Sequence, residues 1–189
     1  MPFILNDFPV LAAELDADGV HIGQDDGSLE NARALFQSAI RSSSSSTIIN
    51  QQSSIVNSPQ SFSAKASKDR SPILFGRSTH SLAQAEAALA EGFDYIGFGP
   101  LFPTPTKAGR PGIGLADVAE MERLVGSKIP AFCIGGIKRS NLTEVLAAGA
   151  RRVVIVSDLL SALDVENATF EAVSSMKNFL TQRRNDATD

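Results

Sequence analysis

Acidic side chains follow the first two apolar runs of the sequence, where strand ends would present them together. Asp7 follows the first run, and the pair Asp25 and Asp26 follows the second. Two carboxylates at neighbouring strand ends suit a hard cation such as Mg²⁺, which takes oxygen ligands and keeps several waters. Each aspartate could instead cap the helix that follows it. The residues alone leave both interpretations open, and they barely separate Asp25 from Asp26 as the ligand.

The most distinctive segment is the loop Gly-Pro-Leu-Phe-Pro-Thr-Pro-Thr-Lys at residues 99–107. Its prolines stiffen the backbone, Thr104 and Thr106 offer hydroxyls, and Lys107 carries a positive charge suited to phosphate or pyrophosphate. A solvent-exposed connection is the alternative. Because long ordered loops in compact domains tend to be functional, we expect this loop to contact a ligand.

Two further loops have the composition of a phosphate site. Gly135 and Gly136 follow one apolar run, and Val156 and Ser157 follow the next. Glycine lets backbone N–H groups approach an anion closely, and a helix that starts there adds further donors. One Gly-Gly pair is weak evidence, but two such loops at consecutive strand ends together predict a phosphate cup.

Ser78, Thr79 and His80 lie at another strand end and superficially suggest a nucleophile with its base. No nucleophile elbow surrounds Ser78, and a serine at a phosphate site more simply donates a hydrogen bond. His21 lies inside an apolar run and is interpreted as an interior histidine. The single cysteine, Cys133, also lies in an apolar run and is interpreted as packing.

These residues need a scaffold that gathers strand ends on one face. Short apolar runs alternate with longer amphipathic segments, which predicts strands at 3–5, 19–22, 73–75, 95–98, 131–134 and 153–156, with helices at 9–16, 28–37, 81–91, 115–125, 141–148 and 166–182. The strands are continuously apolar, as in a parallel sheet covered by helices on both faces. Polar or glycine features after every strand favour a TIM-type (β/α) barrel over an open doubly wound sheet.

Composition narrows the class of protein. The 189 residues are 43% hydrophobic and 20% charged with a net charge of −4, which predicts one soluble domain over 1–189. The absence of a basic cluster argues against nucleic acid, and no apolar run reaches the roughly 20 residues of a membrane span. A single cysteine indicates a reducing compartment, so we expect a cytoplasmic protein. Residues 38–71 are rich in Ser, Gln, Asn and Thr, which predicts a disordered insertion.

Taken in order, six segments resemble the thiamine phosphate synthase family. They are ILND at 4–7, DGVHIGQDD at 18–26, STH at 78–80, DYIGFGPLFPTPTK at 94–107, IGGI at 134–137 and VS at 156–157. Together they run through most of the chain outside the Ser-rich segment and the C-terminal tail. The GQxD element and the GPxFPTxTK loop are the most specific.

The resemblance implies a (β/α)8 barrel that joins hydroxymethylpyrimidine diphosphate to hydroxyethylthiazole phosphate, releasing pyrophosphate and forming thiamine phosphate with Mg²⁺. Carried over to this sequence, it implies that Asp7 and Asp26 bind the metal, which selects Asp26 over Asp25. It assigns the pyrimidine diphosphate to Asn6, Ser78 and Lys107, with Ser78 and Lys107 as the catalytic groups. It assigns the thiazole phosphate to six residues, namely Thr104, Pro105, Thr106, Gly136, Val156 and Ser157.

The family's pattern differs from this sequence at the N-terminus. In the family two more strand–helix units precede the strand matched by residues 3–5, and the second carries a Gln-x-Arg-Glu-Lys motif that grips the diphosphate. Here Met1 comes directly before that strand, so we expect an incomplete barrel of about six β/α units. The expected partners are small-molecule substrates, with a homo-oligomer left open. The alternatives are a non-catalytic or regulatory thiazole phosphate or thiamine phosphate binder and another phosphate-binding barrel enzyme.

Overall fold

The computed structural model describes residues 2–49, 72–104 and 111–186. The chain divides into two compact units, Met1–Arg77 and Ser78–Asp189. Each contains parallel strands that alternate with helices. The α/β class predicted from the sequence is therefore confirmed.

The first unit contains β1 (Ile4–Asn6), α1 (Pro9–Glu14), β2 (Gly19–Ile22), α2 (Leu29–Ile49) and most of β3 (Leu74–Thr79). β2 lies between β1 and β3, parallel to both. The core includes Val20 and Ile22 of β2, together with Phe36 of α2, which meets Phe75 of β3 edge to face at 6.2 Å between ring centroids. The apolar faces of α2 and the strands thus hold this unit together.

α2 is longer than predicted. The sequence predicts a helix that ends at Gln37 and a disordered segment from Ser38, whereas α2 continues to Ile49. Ser38 Oγ donates to the carbonyl of Leu35 at 2.9 Å, and Ser42 Oγ donates to that of Ser38 at 3.0 Å. Serine hydroxyls that bond to carbonyls of the preceding turn can be accommodated in a helix, so a serine-rich composition did not end it. The rest of the predicted insertion, residues 50–71, lies outside the described residues.

The second unit begins with the end of β3 and continues with α3 (Leu82–Glu91), β4 (Tyr95–Phe98) and α4 (Val118–Met121), which runs into a π-helical turn (Glu122–Gly126). Then follow β5 (Ala131–Ile134), a 3₁₀ turn (Arg139–Asn141), α5 (Leu142–Ala147), β6 (Val153–Val154), α6 (Ser157–Leu160) and α7 (Val165–Asp186). β5 lies between β4 and β6, parallel to both. Side chains buried in this unit's core include Phe98, Met121, Cys133, Leu142 and Val145.

Predicted elements of the second unit differ in detail. The helix predicted at 166–182 is α7, which extends to Asp186. The helix predicted at 115–125 starts at Val118 and passes into the π-helical turn, where the buried carboxylate of Glu122 accepts a hydrogen bond from the Arg151 N–H at 3.0 Å through Oε1. In the described part of the chain, Glu122 Oε2 has no hydrogen-bond partner. The strand predicted at 153–156 is only two residues long, and α6 starts at Ser157.

No helix among the described residues is both long enough and apolar enough to cross a membrane.

Candidate functional site

A cavity of about 340 Å³ opens in the second unit, among the loops that follow its strands. Five residues assigned to substrates from the sequence line it, namely Ser78, Thr104, Gly136, Val156 and Ser157. The other lining residues are His80, Gly97, Gly99, Pro100, Pro103, Ile134, Gly135, Ile137, Lys138, Val154 and Asp158. A volume of this size suits a small organic ligand.

The turn Gly135–Gly136 forms one wall of the cavity and can be built only from glycine. The φ angles are +94° at Gly135 and +66° at Gly136, in the left-handed region. A Cβ at Gly135 would lie 2.4 Å from the Pro100 Cβ, and one at Gly136 would lie 2.6 Å from the Phe102 Cβ. The turn therefore packs directly against the loop 99–104.

Backbone hydrogen bonds fix that loop against the end of β5. The Leu101 N–H donates to the Ile134 carbonyl at 2.9 Å, and the Phe102 N–H donates to the Gly135 carbonyl at 3.0 Å. Thr104, at the end of this ordered stretch, is half-buried at the cavity. The remaining predicted residues of the loop, Pro105, Thr106 and Lys107, lie outside the described residues.

Backbone donors are available at the glycine turn. The N–H groups of Gly136 and Ile137 form no hydrogen bond within the described residues. Asn141 shapes the same turn, since its Nδ2 donates to the Gly136 carbonyl at 3.1 Å and its Oδ1 accepts from the Lys138 N–H at 2.8 Å. The turn can therefore offer donors to an anion, which is the chemistry that the sequence predicts here.

Two opposite charges lie at the cavity wall, on Lys138 and Asp158. The Asp158 Oδ2 accepts hydrogen bonds from the backbone N–H and the Nε of Arg139, each at 3.0 Å. The backbone hydrogen bond from Arg139 comes first among the causes that hold the pKa of Asp158 below its usual value, with the guanidinium adding to it. Asp158 is therefore an ionised carboxylate beside a candidate anion site.

The end of β3 supplies Ser78 and His80 to the cavity. The His80 Nδ1 donates to the Gly99 carbonyl, and the His80 N–H donates to Gln84 Oε1 at 2.7 Å. Thr79, between them, is buried, and its Oγ1 donates to the Gly97 carbonyl at 3.0 Å. These contacts give His80 a role in holding the Gly99 loop. The assignment of Ser78 to ligand binding stays a prediction.

The predicted metal ligands, Asp7 and Asp26, lie in the first unit, beyond the ends of β1 and β2. The Asp7 N–H extends the pairing of these strands by donating to the His21 carbonyl at 2.8 Å, and Asn6 pairs with His21 directly before it. Both aspartates and Asn6 are exposed. Because β1 and β2 are adjacent and parallel, the two carboxylates lie at the same edge of the unit's sheet.

Neither aspartate occupies the cap position that the sequence left open as an alternative. Phe8 is the N-cap residue of α1, and Ser28 Oγ accepts from the Asn31 N–H at 3.2 Å at the start of α2. Asp26 Oδ2 instead accepts from the Gly23 N–H at 2.7 Å, within its own loop. The buried Arg77 holds that loop by donating to the Gly27 carbonyl at 2.5 Å.

Asp7 has a left-handed backbone conformation, with φ of 67°, which aspartate adopts more readily than most residues other than glycine. Asp16, which has no assigned role, has a similar φ of 55°. No group of three or more His, Cys, Asp and Glu side chains in the described ranges could enclose a metal. Two exposed carboxylates nevertheless fit Mg²⁺, which is typically held by one or two carboxylates together with waters and substrate phosphates.

Three residues that line the cavity, Lys138, Asp158 and His80, have no role predicted from the sequence. Each lies one or two residues after a residue that the resemblance assigns to a substrate, namely Gly136, Ser157 and Ser78. This closeness in sequence is the one signal that could identify them. Whether these side chains face the cavity depends on the dihedral angles of the glycine turn and on where α6 starts. Neither follows from residue type.

Comparison with known proteins gives the same family as the motifs. The sequence profile of the thiamine monophosphate synthase family matches residues 1–52 and 63–159. A thiamine-phosphate synthase of Thermus thermophilus is 42% identical over 168 residues, covering 89% of this chain and 64% of that protein. The thiamine-phosphate synthase of Gloeobacter violaceus is 38% identical over 167 residues, covering 88% of this chain and 39% of that protein. The chain thus spans less than two thirds of these relatives.

The structure agrees with this relationship. The thiamine phosphate pyrophosphorylase of Pyrococcus furiosus superposes with a TM-score of 0.66 at 28% identity, covering 95% of this chain and 69% of that one. The fold is thus α/β of the TIM type, as the sequence predicts. Because the family profile covers most of the sequence and the same motifs line the cavity, this chain belongs to the thiamine monophosphate synthase family.

Proposed function

We propose that the protein is a transferase of thiamine biosynthesis. It condenses hydroxymethylpyrimidine diphosphate with hydroxyethylthiazole phosphate, giving thiamine phosphate and pyrophosphate. The observation that carries the proposal is the meeting of five family-assigned residues, from loops that are far apart in sequence, in one cavity. They are Ser78, Thr104, Gly136, Val156 and Ser157.

The cavity of the second unit takes the thiazole phosphate. Its phosphate accepts from the backbone N–H groups of Gly136 and Ile137, with the Lys138 charge at the same wall. The apolar thiazole ring lies against Ile134 and Val156, which are both exposed at the cavity. An apolar wall next to clustered donors matches a ligand with a ring at one end and a phosphate at the other.

Asp7 and Asp26 hold Mg²⁺ at their edge of the first unit's sheet. When bound, the metal supplies positive charge to the leaving diphosphate. The chain's own residues bind and orient the reactants. Asn6, Ser78 and Lys107 remain the residues assigned to the pyrimidine diphosphate, with Ser78 and Lys107 as the catalytic groups, and no protein nucleophile is required.

The same proposal includes the protein's partners, compartment and complete fold. The partners are the two small-molecule substrates, with no nucleic acid and no membrane involved, and the compartment is the cytoplasm. A homo-oligomer is left open. The fold that the resemblance implies is a TIM-type (β/α)8 barrel, of which this chain supplies about six β/α units.

Calorimetry with each substrate separately tests the proposal. We expect hydroxyethylthiazole phosphate to bind, and we expect the pyrimidine diphosphate to bind only with Mg²⁺. The two together with Mg²⁺ should yield thiamine phosphate, detected by chromatography. Asp26→Asn should remove the Mg²⁺-dependent binding while preserving thiazole phosphate binding, with Asp25→Asn as the matched control. Thiazole phosphate binding without Mg²⁺-dependent diphosphate binding or product would support a non-catalytic relative instead.

A further inference from the structure

A carboxylate in the wall of an anion-binding cavity needs an explanation, because it repels the ligand. Asp158 lines the cavity directly after Ser157, which is assigned to the thiazole phosphate. Its side chain is only 21% exposed, so solvent screens its charge incompletely. The inference that follows rests on the proposed function in one respect, the presence of a bound phosphate in this cavity.

Arg139 compensates this carboxylate through two separate donors. Its backbone N–H and its Nε both donate to Asp158 Oδ2 at 3.0 Å. The other end of the guanidinium donates from Nη1 to Glu171 Oε2 at 2.7 Å, and Glu171 is held in turn by Asn167 Nδ2 at 3.0 Å. Arg139 is therefore held from two sides, by α6 and by α7.

The same contact joins the two loops that carry the assigned phosphate residues. Arg139 directly follows Lys138 after the glycine turn, and Asp158 directly follows Ser157. Before these two loops begin, Ile134 and Val154 pair in the sheet. Among the described residues, the loops themselves (135–139 and 155–159) are joined by the hydrogen bonds from Arg139 to Asp158.

We propose that Arg139 is a positioning residue for the anion site, which it serves by neutralising Asp158 and by tying the Gly135–Lys138 loop to the Val156–Ser157 loop. Arg139 itself does not line the cavity, so it acts through Asp158 rather than on the ligand. A single ion pair between partly exposed side chains contributes little to stability, so the main effect of its loss falls on ligand affinity.

Two substitutions separate charge from hydrogen bonding. Arg139→Lys keeps the positive charge. Arg139→Gln keeps an N–H donor at the position of Nε but loses the charge and the Nη1 contact with Glu171. Both retain the backbone N–H bond to Asp158. We expect Arg139→Gln to weaken binding of hydroxyethylthiazole phosphate about tenfold, on the order of one uncompensated charge near a pocket, and Arg139→Lys to weaken it less than threefold. Binding is measured by calorimetry, and folding is checked by thermal melting.

The double variant Arg139→Gln with Asp158→Asn removes both charges, so affinity should recover most of the tenfold loss. Hydroxyethylthiazole without its phosphate should bind all variants equally. The matched control is Arg123→Gln, which breaks an exposed ion pair with Glu120 away from the cavity and should leave affinity unchanged.

The inference is overturned if Arg139→Gln binds the phosphate ligand as tightly as the unsubstituted protein does. It is equally overturned if the double variant is no better than Arg139→Gln. Inorganic phosphate as a second probe separates this result from failure of the proposed function. If the thiazole phosphate does not bind but inorganic phosphate shows the variant pattern, the function fails and the role of Arg139 stands.

Discussion

The Asn141 side chain donates to the Gly136 carbonyl at 3.1 Å, across the turn that forms one wall of the cavity. Its other amide atom accepts from the Lys138 N–H at 2.8 Å. One side chain thus satisfies an acceptor and a donor two residues apart, and leaves the intervening Ile137 N–H to a ligand. The shape of the turn is set before any ligand binds.

Asn141→Ala tests this relationship. The substitution removes two hydrogen bonds worth about 1 kcal/mol each, so we expect the free energy of unfolding to fall by about 1–2 kcal/mol. We also expect thiazole phosphate to bind several-fold more weakly, because the turn must then be ordered by the ligand. Denaturant titration and calorimetry measure the two effects. The control is Ser127→Ala, which removes an exposed hydroxyl that donates to the Arg123 carbonyl and should change neither quantity. An equal loss of affinity in that variant would contradict a specific role for the Asn141 hydrogen bonds.

Gly135→Ala and Gly114→Ala form a matched pair. Both glycines have positive φ, at +94° and +77°, but an added Cβ would collide with Pro100 only at Gly135, and nothing lies within 4 Å at Gly114. We expect Gly114→Ala to cost about 1 kcal/mol of unfolding free energy, from the backbone conformation alone. Gly135→Ala should cost at least about 2 kcal/mol more, with loss of thiazole phosphate binding. If both variants were equally destabilised in thermal or denaturant melts, the loop 99–104 would have moved to accommodate the added Cβ at Gly135.

Asp7 and Asp16 have similar backbone conformations, with φ of 67° and 55°, but only Asp7 is assigned to the metal. Glycine accepts this conformation, so Asp7→Gly should preserve the fold, whereas Asp7→Ala should be less stable than Asp7→Gly by about 1 kcal/mol. Both Asp7 variants should lose Mg²⁺-dependent binding of the pyrimidine diphosphate in calorimetry. Asp16→Gly should keep it, and retention of that binding by Asp7→Gly would exclude Asp7 as a ligand.

The buried Cys133 makes stability fall in alkaline solution. Burial, with Glu122 adding to it, raises the pKa of the Cys133 thiol from 9.0 to about 12. Because the folded pKa lies above the unfolded one, this contribution to stability is full below about pH 9 and is lost as the pH rises toward 12. Burial likewise raises the pKa of the Tyr95 phenol from 10.0 to about 12, with Asp94 as the lesser cause.

We therefore expect the free energy of unfolding to decline from about pH 9 to about pH 11, and the decline to be shallower in Cys133→Ala. In the folded protein at about pH 9, iodoacetamide should label Cys133 far more slowly than in urea, because the thiol is fully buried. Ser127→Ala serves as a control for the pH series. Rapid labelling of the folded protein, or identical slopes with and without Cys133, would contradict this account.

Continuous apolar runs in the sequence predict most of the strands of the fold. The apolar runs at 95–98 and 131–134 predict β4 and β5 with the bounds that the structure has, although only alternate residues of each strand are buried. Ser81 marked the start of α3, where its Oγ accepts from the Gln84 N–H at 3.3 Å. The sequence does not predict the extension of α2 past Ser38, because composition does not show whether a serine hydroxyl bonds to a carbonyl of its own helix.

The sequence predicts the shape of the glycine turn, because geometry requires that residue type there. It predicts less of the rest of the cavity wall. Gly135 and Gly136 were assigned because a close backbone approach requires glycine, and the structure places an intolerable Cβ contact at both. The sequence assigns no role to Lys138 and Asp158, because charged side chains follow many strands. Their position depends on the left-handed turn before Lys138 and on the start of α6 at Ser157.

The π-helical turn at Glu122–Gly126 contains a buried carboxylate whose replacement should raise the melting temperature. Glu122 buries a carboxylate of which one oxygen accepts the Arg151 N–H, while the other has no hydrogen-bond partner in the described part of the chain. Glu122→Gln would keep the acceptor and remove an incompletely solvated charge, which should raise the melting temperature by a few degrees, about 1 kcal/mol. Thermal melting of Glu122→Gln measures the effect, and the substitution changes no residue that lines the cavity. A lower melting temperature would show that this position prefers the acid.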